Sequence, residues 1–455
     1  MLTAKFHTIH LIGICGTAMA SLASMLQDKG YAVTGSDQDV YPPMSVFLSQ
    51  KNITVFKGYD ARNLQTRPDM VVVGNALSRC NPEIEHVLNS RIPYISLPEA
   101  LKHFFLRGKT PVVVTGTHGK TTTTSMIAWG LHEAGLNPDF FIGGIAENFD
   151  SSYGLQGGDH CVVEGDEYDS AFFDKGPKFL HYLPYAAIIG NIEFDHADIY
   201  TDLEAIKLQF RRFVNLVPQN GFLAVGGDSP AASEVGKYCF GKTETFGMGS
   251  SNDWSPENIA IEDQRTCFDI RYRGNFFGRL QLGVYGNYNV LKAMAATAVM
   301  NYLGVPAGSI LESLASFRGV RRRLQHRATV GDIRIYEDFA HHPTAVGETL
   351  KTVKEVFNPK RLWAIYEPRS ATSRRKVFQD AIAHSLSLAD CIAVPELFKP
   401  GKIPVEERLD LGRLRDVLAG MGRKVWNLTT VEDVINKVCE EALPGDLIVI
   451  MSNGG

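Results

Sequence analysis

The sequence predicts an α/β protein of three domains, each built on an open, largely parallel sheet. Three observations carry that prediction. Short apolar β-runs alternate with helical stretches along the whole chain, the order that parallel sheets require. Two of these runs end in glycine turns that open helices: residues 9–12 before Gly13 and Gly16, and residues 112–114 before Gly116 and Gly119. Finally, 455 residues exceed what one hydrophobic core serves; the length suits about three units of roughly 150 residues. Domains are expected over residues 1–106, 107–320 and 321–455.

In the first unit, residues 9–12 form a β-run, and Met19, Leu22, Met25 and Leu26 then recur at helical spacing. A second strand, residues 31–34, ends at Ser36 and Asp37. A glycine turn between strand and helix, with an acid about twenty residues on, is the Rossmann arrangement. The third glycine position holds Met19, so the dinucleotide fingerprint is incomplete and an NAD-dependent oxidoreductase is disfavoured. Residues 70–73 and 94–95 extend the same sheet.

The second unit opens with residues 112–114 and TGTHGKTTTT, followed by a helix over 122–134. In a phosphate loop, backbone N–H groups and the helix start hold phosphate oxygens, and a lysine neutralises their charge. Lys120 suits that contact, and the Thr121 hydroxyl suits magnesium. The usual spacing asks for glycine at 114, where this chain has Val114. Further β-runs at 161–163 and 186–189 end in acid-rich segments. Glu164, Asp166, Glu167 and Asp169 offer the hard oxygens that magnesium takes. Asp195, His196 and Asp198 follow the second run. Magnesium seldom takes imidazole, so His196 suits a capping or orienting role as readily as a ligand's. An Ala- and Met-rich helix, about 289–303, closes the unit.

The third unit reads as another open α/β sheet, with strands at 333–337, 362–366, 391–394 and 447–451. In RGVRRRLQH, Arg322 or Arg323 can balance the charge of a transferring phosphoryl group. Asp338, at a strand end, can accept hydrogen bonds from a ribose. His341 and His342 precede Pro343 and by themselves read as capping or surface groups.

Bulk properties exclude other classes. Apolar residues make up 44% and charged residues 21%, an ordinary globular balance, and the formal net charge of −4 gives no footprint for nucleic acid. Seven scattered cysteines show no metal-ligand spacing and suit a reducing, cytoplasmic compartment. No stretch approaches the ~20 apolar residues of a membrane span, so no membrane partner is expected.

TGTHGKTTT, the Glu164 cluster, NIEFDHAD, Asn289, the RRR run and DFAHHP stand in the order found in the ATP-dependent Mur ligase family. The chain resembles that family over essentially its whole length. The family loop is T-G-T-x-G-K-T, in which Thr115 and Gly116 make the turn and position 114 need not be glycine. The resemblance implies a Rossmann-like N-terminal domain, a central P-loop ATPase-type parallel sheet and a Rossmann-like C-terminal domain. It implies ATP on Thr115, Gly116, Thr117, Gly119, Lys120, Thr121 and Thr122, with Asn289, Arg323 and Asp338. Mg²⁺ would lie on Thr121, Glu164 and His196, and Lys120, Glu164, His196 and Arg323 would form the catalytic set. Gly13, Gly16, Thr17 and Asp37 would bind UDP-N-acetylmuramate, and His341, Arg369 and Ser370 complete the implied substrate contacts. Tyr288 stands where the family often has histidine, and Lys207 falls too early to match the carbamylated lysine of some members.

Within the family, residues 41–45 (YPPMS), 74–83 (GNALSRCNPE) and 366–376 (YEPRSATSRRK) resemble one branch. That branch attaches L-alanyl-γ-D-glutamyl-meso-diaminopimelate to UDP-N-acetylmuramate through an acyl phosphate, in peptidoglycan recycling. Ala371 replaces its usual asparagine. A tripeptide with several carboxylates needs cations, which Arg369, Arg374, Arg375 and Lys376 can supply. The alternatives are the branch that adds L-alanine and, in a different class, a nucleotide switch built on the same phosphate loop.

Overall fold

The computed structural model describes residues 6–370 and 372–454, so Ala371 lies outside the described residues. Five parallel strands form the N-terminal sheet: Thr8–Ile12, Ala32–Asp37, Thr54–Lys57, Met70–Val73 and Tyr94–Ser96. They lie in the spatial order third, second, first, fourth, fifth. The order reverses beside the first strand, so its carboxyl end opens a crevice at the turn into helix Thr17–Asp28. Met19, Leu22, Met25 and Leu26 bury that helix against the sheet.

The central sheet has ten strands. From one edge they are Asn275–Leu282, Arg265–Tyr272, Trp254–Glu262, Lys242–Phe246, Phe222–Gly226, Ala186–Ile189, Thr110–Thr115, His160–Glu164, Asp139–Ala146 and Ser151–Gly154. The strands from Lys242–Phe246 to Asp139–Ala146 are parallel, but the edges are not. Residues 254–282 form an antiparallel meander, and Ser151–Gly154 pairs antiparallel with its neighbour. The sequence reading missed the meander because only one of its faces is covered. Asn275–Leu282 alternates buried and exposed residues toward its end and never forms an apolar run. Helices Lys120–Glu133 and Asn287–Tyr302 pack side by side, buried nearly all round. Gly130 makes this approach possible, since a Cβ there would lie 2.1 Å from the Met300 sulfur.

The C-terminal sheet orders its strands Gln325–Val330, Ile333–Asp338, Asp446–Met451, Arg361–Tyr366, Cys391–Pro395 and Lys424–Leu428, the first antiparallel and the rest parallel. Asp446 organises its base. Its carboxylate accepts from Arg361 Nε (3.0 Å) and Nη2 (2.6 Å), Trp363 Nε1 (2.9 Å) and the Leu443 N–H (2.9 Å). Burial works against this charge, but those donors outweigh it and hold the carboxyl below its usual range. Asp446→Ala strands a buried indole N–H and a guanidinium. The expected cost is about 3 kcal/mol, the low end for breaking a buried pair because Arg361 reaches solvent. Because a depressed carboxyl stabilises only while ionised, the gap between parent and variant should narrow as pH falls through the carboxylate range. Urea midpoints at neutral and acid pH check both statements.

Candidate active site

Strand Thr110–Thr115 runs buried through the sheet centre and delivers its carboxyl end to the loop 116–119. Gly116 (φ 132°) and Gly119 (φ 81°) take left-handed backbone conformations that residues with a Cβ rarely adopt. A side chain at 116 would meet the Asn191 backbone at 3.1 Å, and one at 119 would meet Lys292 Cε at 2.8 Å. Asn191, just past the neighbouring strand, clamps the loop. Its carbonyl accepts from Thr117 N–H (3.0 Å) and its side-chain oxygen from His118 N–H (2.9 Å). Thr115 donates to the Ile188 carbonyl at 2.6 Å. Position 114 is thus an ordinary interior strand residue between Ile188 and Glu164, which is why valine serves there.

Lys120 begins the helix, and its ammonium contacts Glu167 Oε2 (2.9 Å) and the Gly116 carbonyl (2.9 Å), with Asp166 Oδ1 4.0 Å away. Burial opposes its charge, yet Glu167, Asp166 and Glu164 together hold it well above the ordinary lysine range. The Thr121 hydroxyl donates to Glu164 Oε1 at 2.9 Å. Glu164 itself is pushed upward, first by burial and then by Asp166, although the Gly143 N–H bonds its other oxygen at 2.7 Å. Burial there outweighs the opposing charge of Lys120, so the Thr121–Glu164 corner favours a further cation. A hydroxyl and a carboxylate oxygen there form a hard-oxygen set that fits Mg²⁺.

His196 sits in a left-handed turn (φ 55°) with its backbone N–H on Asp195 Oδ1 (2.7 Å) and on Thr372 Oγ1 (3.1 Å) of the C-terminal sheet's loops. Its Nε2 contacts Glu167 Oε1 at 2.8 Å. Burial disfavours the imidazolium, but Glu167 and Asp195 outweigh it and raise the pKa. Glu167 therefore bridges Lys120 and His196.

The C-terminal domain completes the cleft. Of the two candidate arginines, Arg322 is spent on Glu337 (2.6 Å) and on the carbonyls of Ser452 and Gly454. Arg323 instead reaches the phosphate loop, donating to Thr121 Oγ1 at 3.3 Å. Asp338 uses both oxygens on backbone N–H groups, Leu324 and Ala340, each at 2.7 Å, and so fixes the turn that carries Arg323. His341 donates from Nδ1 to the Phe339 carbonyl (3.0 Å), and burial pushes its pKa down to about 4. Asn289 is tied to the Tyr285 carbonyl (2.6 Å) and to Lys292 Nζ (3.0 Å). Thr115, Thr117, Gly119, Lys120, Thr121 and Thr122 meet Glu164, His196, Asn289, Arg323, Asp338 and His341 around one cavity of about 440 Å³.

Other candidates lie elsewhere. Gly13, Gly16, Thr17 and Asp37 form a separate corner on the N-terminal sheet. There Gly16 caps the helix that Thr17 begins, and Asp37 Oδ2 accepts from the Cys15 N–H at 2.8 Å. Helix N–H groups at such an end suit an anion. Arg369 and Ser370 do not line the cavity. Arg369 lies over the Phe398 ring (4.1 Å), and Ser370 bonds Ser373 at 2.8 Å. The expected cation cluster is largely spent as well. Arg374 donates to the Phe398 carbonyl (2.7 Å), and Arg375 pairs with Glu407, so both brace the loop over 398–408. Sequence reading also passed over Lys292 and Glu193 and left Glu167 undistinguished within its acid run.

A phosphate loop, an acid cluster at the neighbouring strand end and an arginine from a following domain define a nucleotide-dependent transferase or ligase built across three α/β domains. Family descriptions match each part in turn: "Mur ligase family, catalytic domain" over residues 8–109, "Mur ligase middle domain" over 114–300 and "Mur ligase, glutamate ligase domain" over 322–454. The chain belongs to the Mur ligase family. It is 38% identical over 449 residues to the UDP-N-acetylmuramate--L-alanyl-γ-D-glutamyl-meso-2,6-diaminoheptandioate ligase of Escherichia coli K12, covering 98% of this chain and 95% of that one. It is 30% identical to a UDP-N-acetylmuramate--L-alanine ligase of Desulfotalea psychrophila, over 98% of this chain and 95% of the relative. The crystal structure of a murein peptide ligase from Psychrobacter arcticus superimposes with a TM-score of 0.76 at 36% identity, covering 99% and 96% of the two chains.

Lys292 gives this cleft a measurable proton linkage. Its ammonium rests over the Tyr288 ring (4.4 Å) with no carboxylate in contact among the described residues, and burial, then Arg323, push its pKa down to about 7. A polyphosphate in the cleft favours the charged form and raises that pKa. ADP binding should therefore take up a proton above pH 7, approaching one per site near pH 8, and almost none near pH 6 where Lys292 is already charged. Calorimetry at pH 8 in two buffers of different ionisation enthalpy measures this uptake. Lys292→Met should abolish it.

Proposed function

We infer that the chain is an ATP-dependent ligase that forms a C–N bond between UDP-N-acetylmuramate and the tripeptide L-alanyl-γ-D-glutamyl-meso-diaminopimelate, in the cytoplasmic recycling of cell-wall peptidoglycan. The observation that carries this reading is Arg323 of the C-terminal domain donating to Thr121 of the phosphate loop, beside Lys120 and Glu164. The 38% identity to the E. coli tripeptide ligase over nearly the full chain supports the choice of acceptor.

The chemistry proceeds in two steps. A lactyl carboxylate oxygen of UDP-N-acetylmuramate attacks the γ-phosphorus of ATP, the bond to the bridging oxygen breaks, and ADP leaves with an acyl phosphate formed. The tripeptide α-amine then attacks the acyl carbon, loses a proton, and phosphate departs from the tetrahedral adduct. No side chain forms a covalent bond. Lys120 directs its remaining donors to phosphate oxygens, while Glu167, paired with His196, keeps the ammonium aimed at the loop. Arg323 brings a second cation to the equatorial oxygens as charge spreads over them. Thr121 and Glu164, with His196 nearby, would hold Mg²⁺, which supplies charge neutralisation at the phosphates. In the N-terminal domain, the helix start at Gly16 and Thr17 meets the uridine diphosphate, and Asp37 steadies that turn through Cys15. Because the two phosphate sites lie in different domains, the domains must act together to bring acid and γ-phosphate into line.

Phosphate release is measured with ATP, Mg²⁺ and UDP-N-acetylmuramate, with tripeptide or L-alanine as acceptor, and products are weighed by mass spectrometry. Tripeptide-dependent release with a UDP-muramyl-tripeptide product is expected. Preference for L-alanine overturns the acceptor assignment, and release that ignores every acceptor overturns the ligase. Arg323→Ala should lower kcat by about 10²–10³, the loss typical of removing one charge-stabilising donor, with a smaller change in KM.

A further inference from the structure

A second group of ligand-type side chains lies at the cleft edge and takes no part in the chemistry above. His118 comes from the phosphate loop, Glu193 from the segment after strand Ala186–Ile189, and His342 from the start of helix Pro343–Phe357 in the C-terminal domain. One donor atom from each lies within 4.8 Å of the others. The His118 and His342 rings are 4.4 Å apart between centroids.

The hydrogen bonding leaves these donors facing one another. His342 Nε2 lies 3.3 Å from the Phe194 carbonyl, which can only accept, so that nitrogen carries the proton and Nδ1 presents a lone pair. Nδ1 caps its helix weakly, from the Thr344 N–H at 3.3 Å, and lies 3.8 Å from Glu193 Oε2. His118 Nε2 is buried without a hydrogen-bond partner, 3.5 Å from the same Glu193 oxygen. Two imidazole nitrogens and a carboxylate oxygen thus converge, none joined to another at good hydrogen-bond length. A lone pair opposite an ionised carboxylate is repulsive unless a cation stands between them.

We propose that His118, Glu193 and His342 bind a divalent transition-metal ion of the zinc type, at a site distinct from the Thr121–Glu164 corner. Two imidazoles and one carboxylate suit zinc, which accepts nitrogen as readily as oxygen, whereas magnesium demands an oxygen shell. The Phe194 carbonyl fixes the His342 tautomer that leaves Nδ1 to ligate. Outer contacts fix each ligand: Asn191 Oδ1 on the His118 N–H (2.9 Å), Thr117 Oγ1 on the Glu193 N–H (2.9 Å), Thr344 Oγ1 donating to Glu193 Oε2 (2.7 Å), and the Phe194 carbonyl on His342. Because His118 precedes Gly119 and Lys120, while His342 belongs to the C-terminal domain, a metal here fastens that domain to the phosphate loop.

The test dialyses the full-length chain against zinc, and separately cobalt, in millimolar Mg²⁺, then measures bound metal and the visible cobalt spectrum. One ion per chain is expected, with ligand-field bands and no thiolate charge-transfer band. Glu193→Gln, which keeps an acceptor for Thr344, and His118→Asn should each weaken binding at least tenfold. Zinc should raise the melting temperature of the parent chain but of neither variant, as a ligand specific to the folded state must. No retained metal overturns the proposal. So does a thiolate band, since the chain's seven cysteines are the rival ligands, and so does retention unchanged in both variants. If one variant fails to fold, the other decides.

Discussion

A buried ammonium needs buried anions, and the cleft is organised around that constraint. Lys120 starts a helix whose first turn is enclosed by the strand ends of the central sheet, so its charge cannot be left to water. Glu167 and Asp166, delivered from the end of strand His160–Glu164, supply the counter-charge. Once they do, the same acids must be balanced among themselves. Lys178 takes Asp166 at 3.2 Å, and His196 takes Glu167 at 2.8 Å. Glu164 is left with a hydroxyl, an N–H and the charge of Lys120, which do not offset burial and a repelling neighbour. The acids and lysines thus form a closed network in which the Thr121–Glu164 corner is the least balanced.

The C-terminal domain enters this network through backbone geometry more than through side-chain pairing. Asp338, in the middle of the cleft wall, spends both oxygens on the N–H groups of Leu324 and Ala340. Those bonds set the turn that turns Arg323 inward and Arg322 outward, toward Glu337 and the C-terminal carbonyls. Two adjacent arginines of identical chemistry are given different work by one carboxylate. The linker before them is pinned to the central sheet, with Arg321 N–H on the Ile145 carbonyl (2.9 Å) and Glu147 N–H on the Gly319 carbonyl (3.0 Å). Arg323 therefore sits only two residues from a fixed point on the neighbouring domain.

What could be seen in the sequence follows the range of the interaction. Buried parallel strands appear as apolar runs, and residues 112–114, 161–163 and 186–189 each lie inside an observed strand. The meander over 254–282 was hidden because a sheet wetted on one face shows alternation broken by bulges at Glu257–Ala260 and Ile270–Arg271. Within the cleft, Lys120, Thr121 and Glu164 were legible because each lies next to a strand end, where position alone implies a role. Lys292 was not, since in an Ala-rich helix a single lysine looks like a solvated residue, and only the fold sets it against Gly119. The long-range partners were equally invisible: nothing in RRK at 374–376 announces that Glu407 and the carbonyl of Phe398 will claim its arginines.

That last misplacement bears on how the acceptor is chosen. Because Arg374 and Arg375 brace the loop over 398–408, their charges are engaged within the C-terminal domain. Arg369 is packed in the same way, over Phe398 and close against Gly454, where a Cβ would come within 2.4 Å of its guanidinium. The three arginines and Phe398 thus form one unit, in which the loop and the C-terminal segment hold each other in register. Lys376 stands apart from that unit, at the rim of a second hollow bounded by Arg408, Asp410 and Arg413. The charges of this segment are thus held at fixed spacing by the braced loop instead of being carried on free side chains.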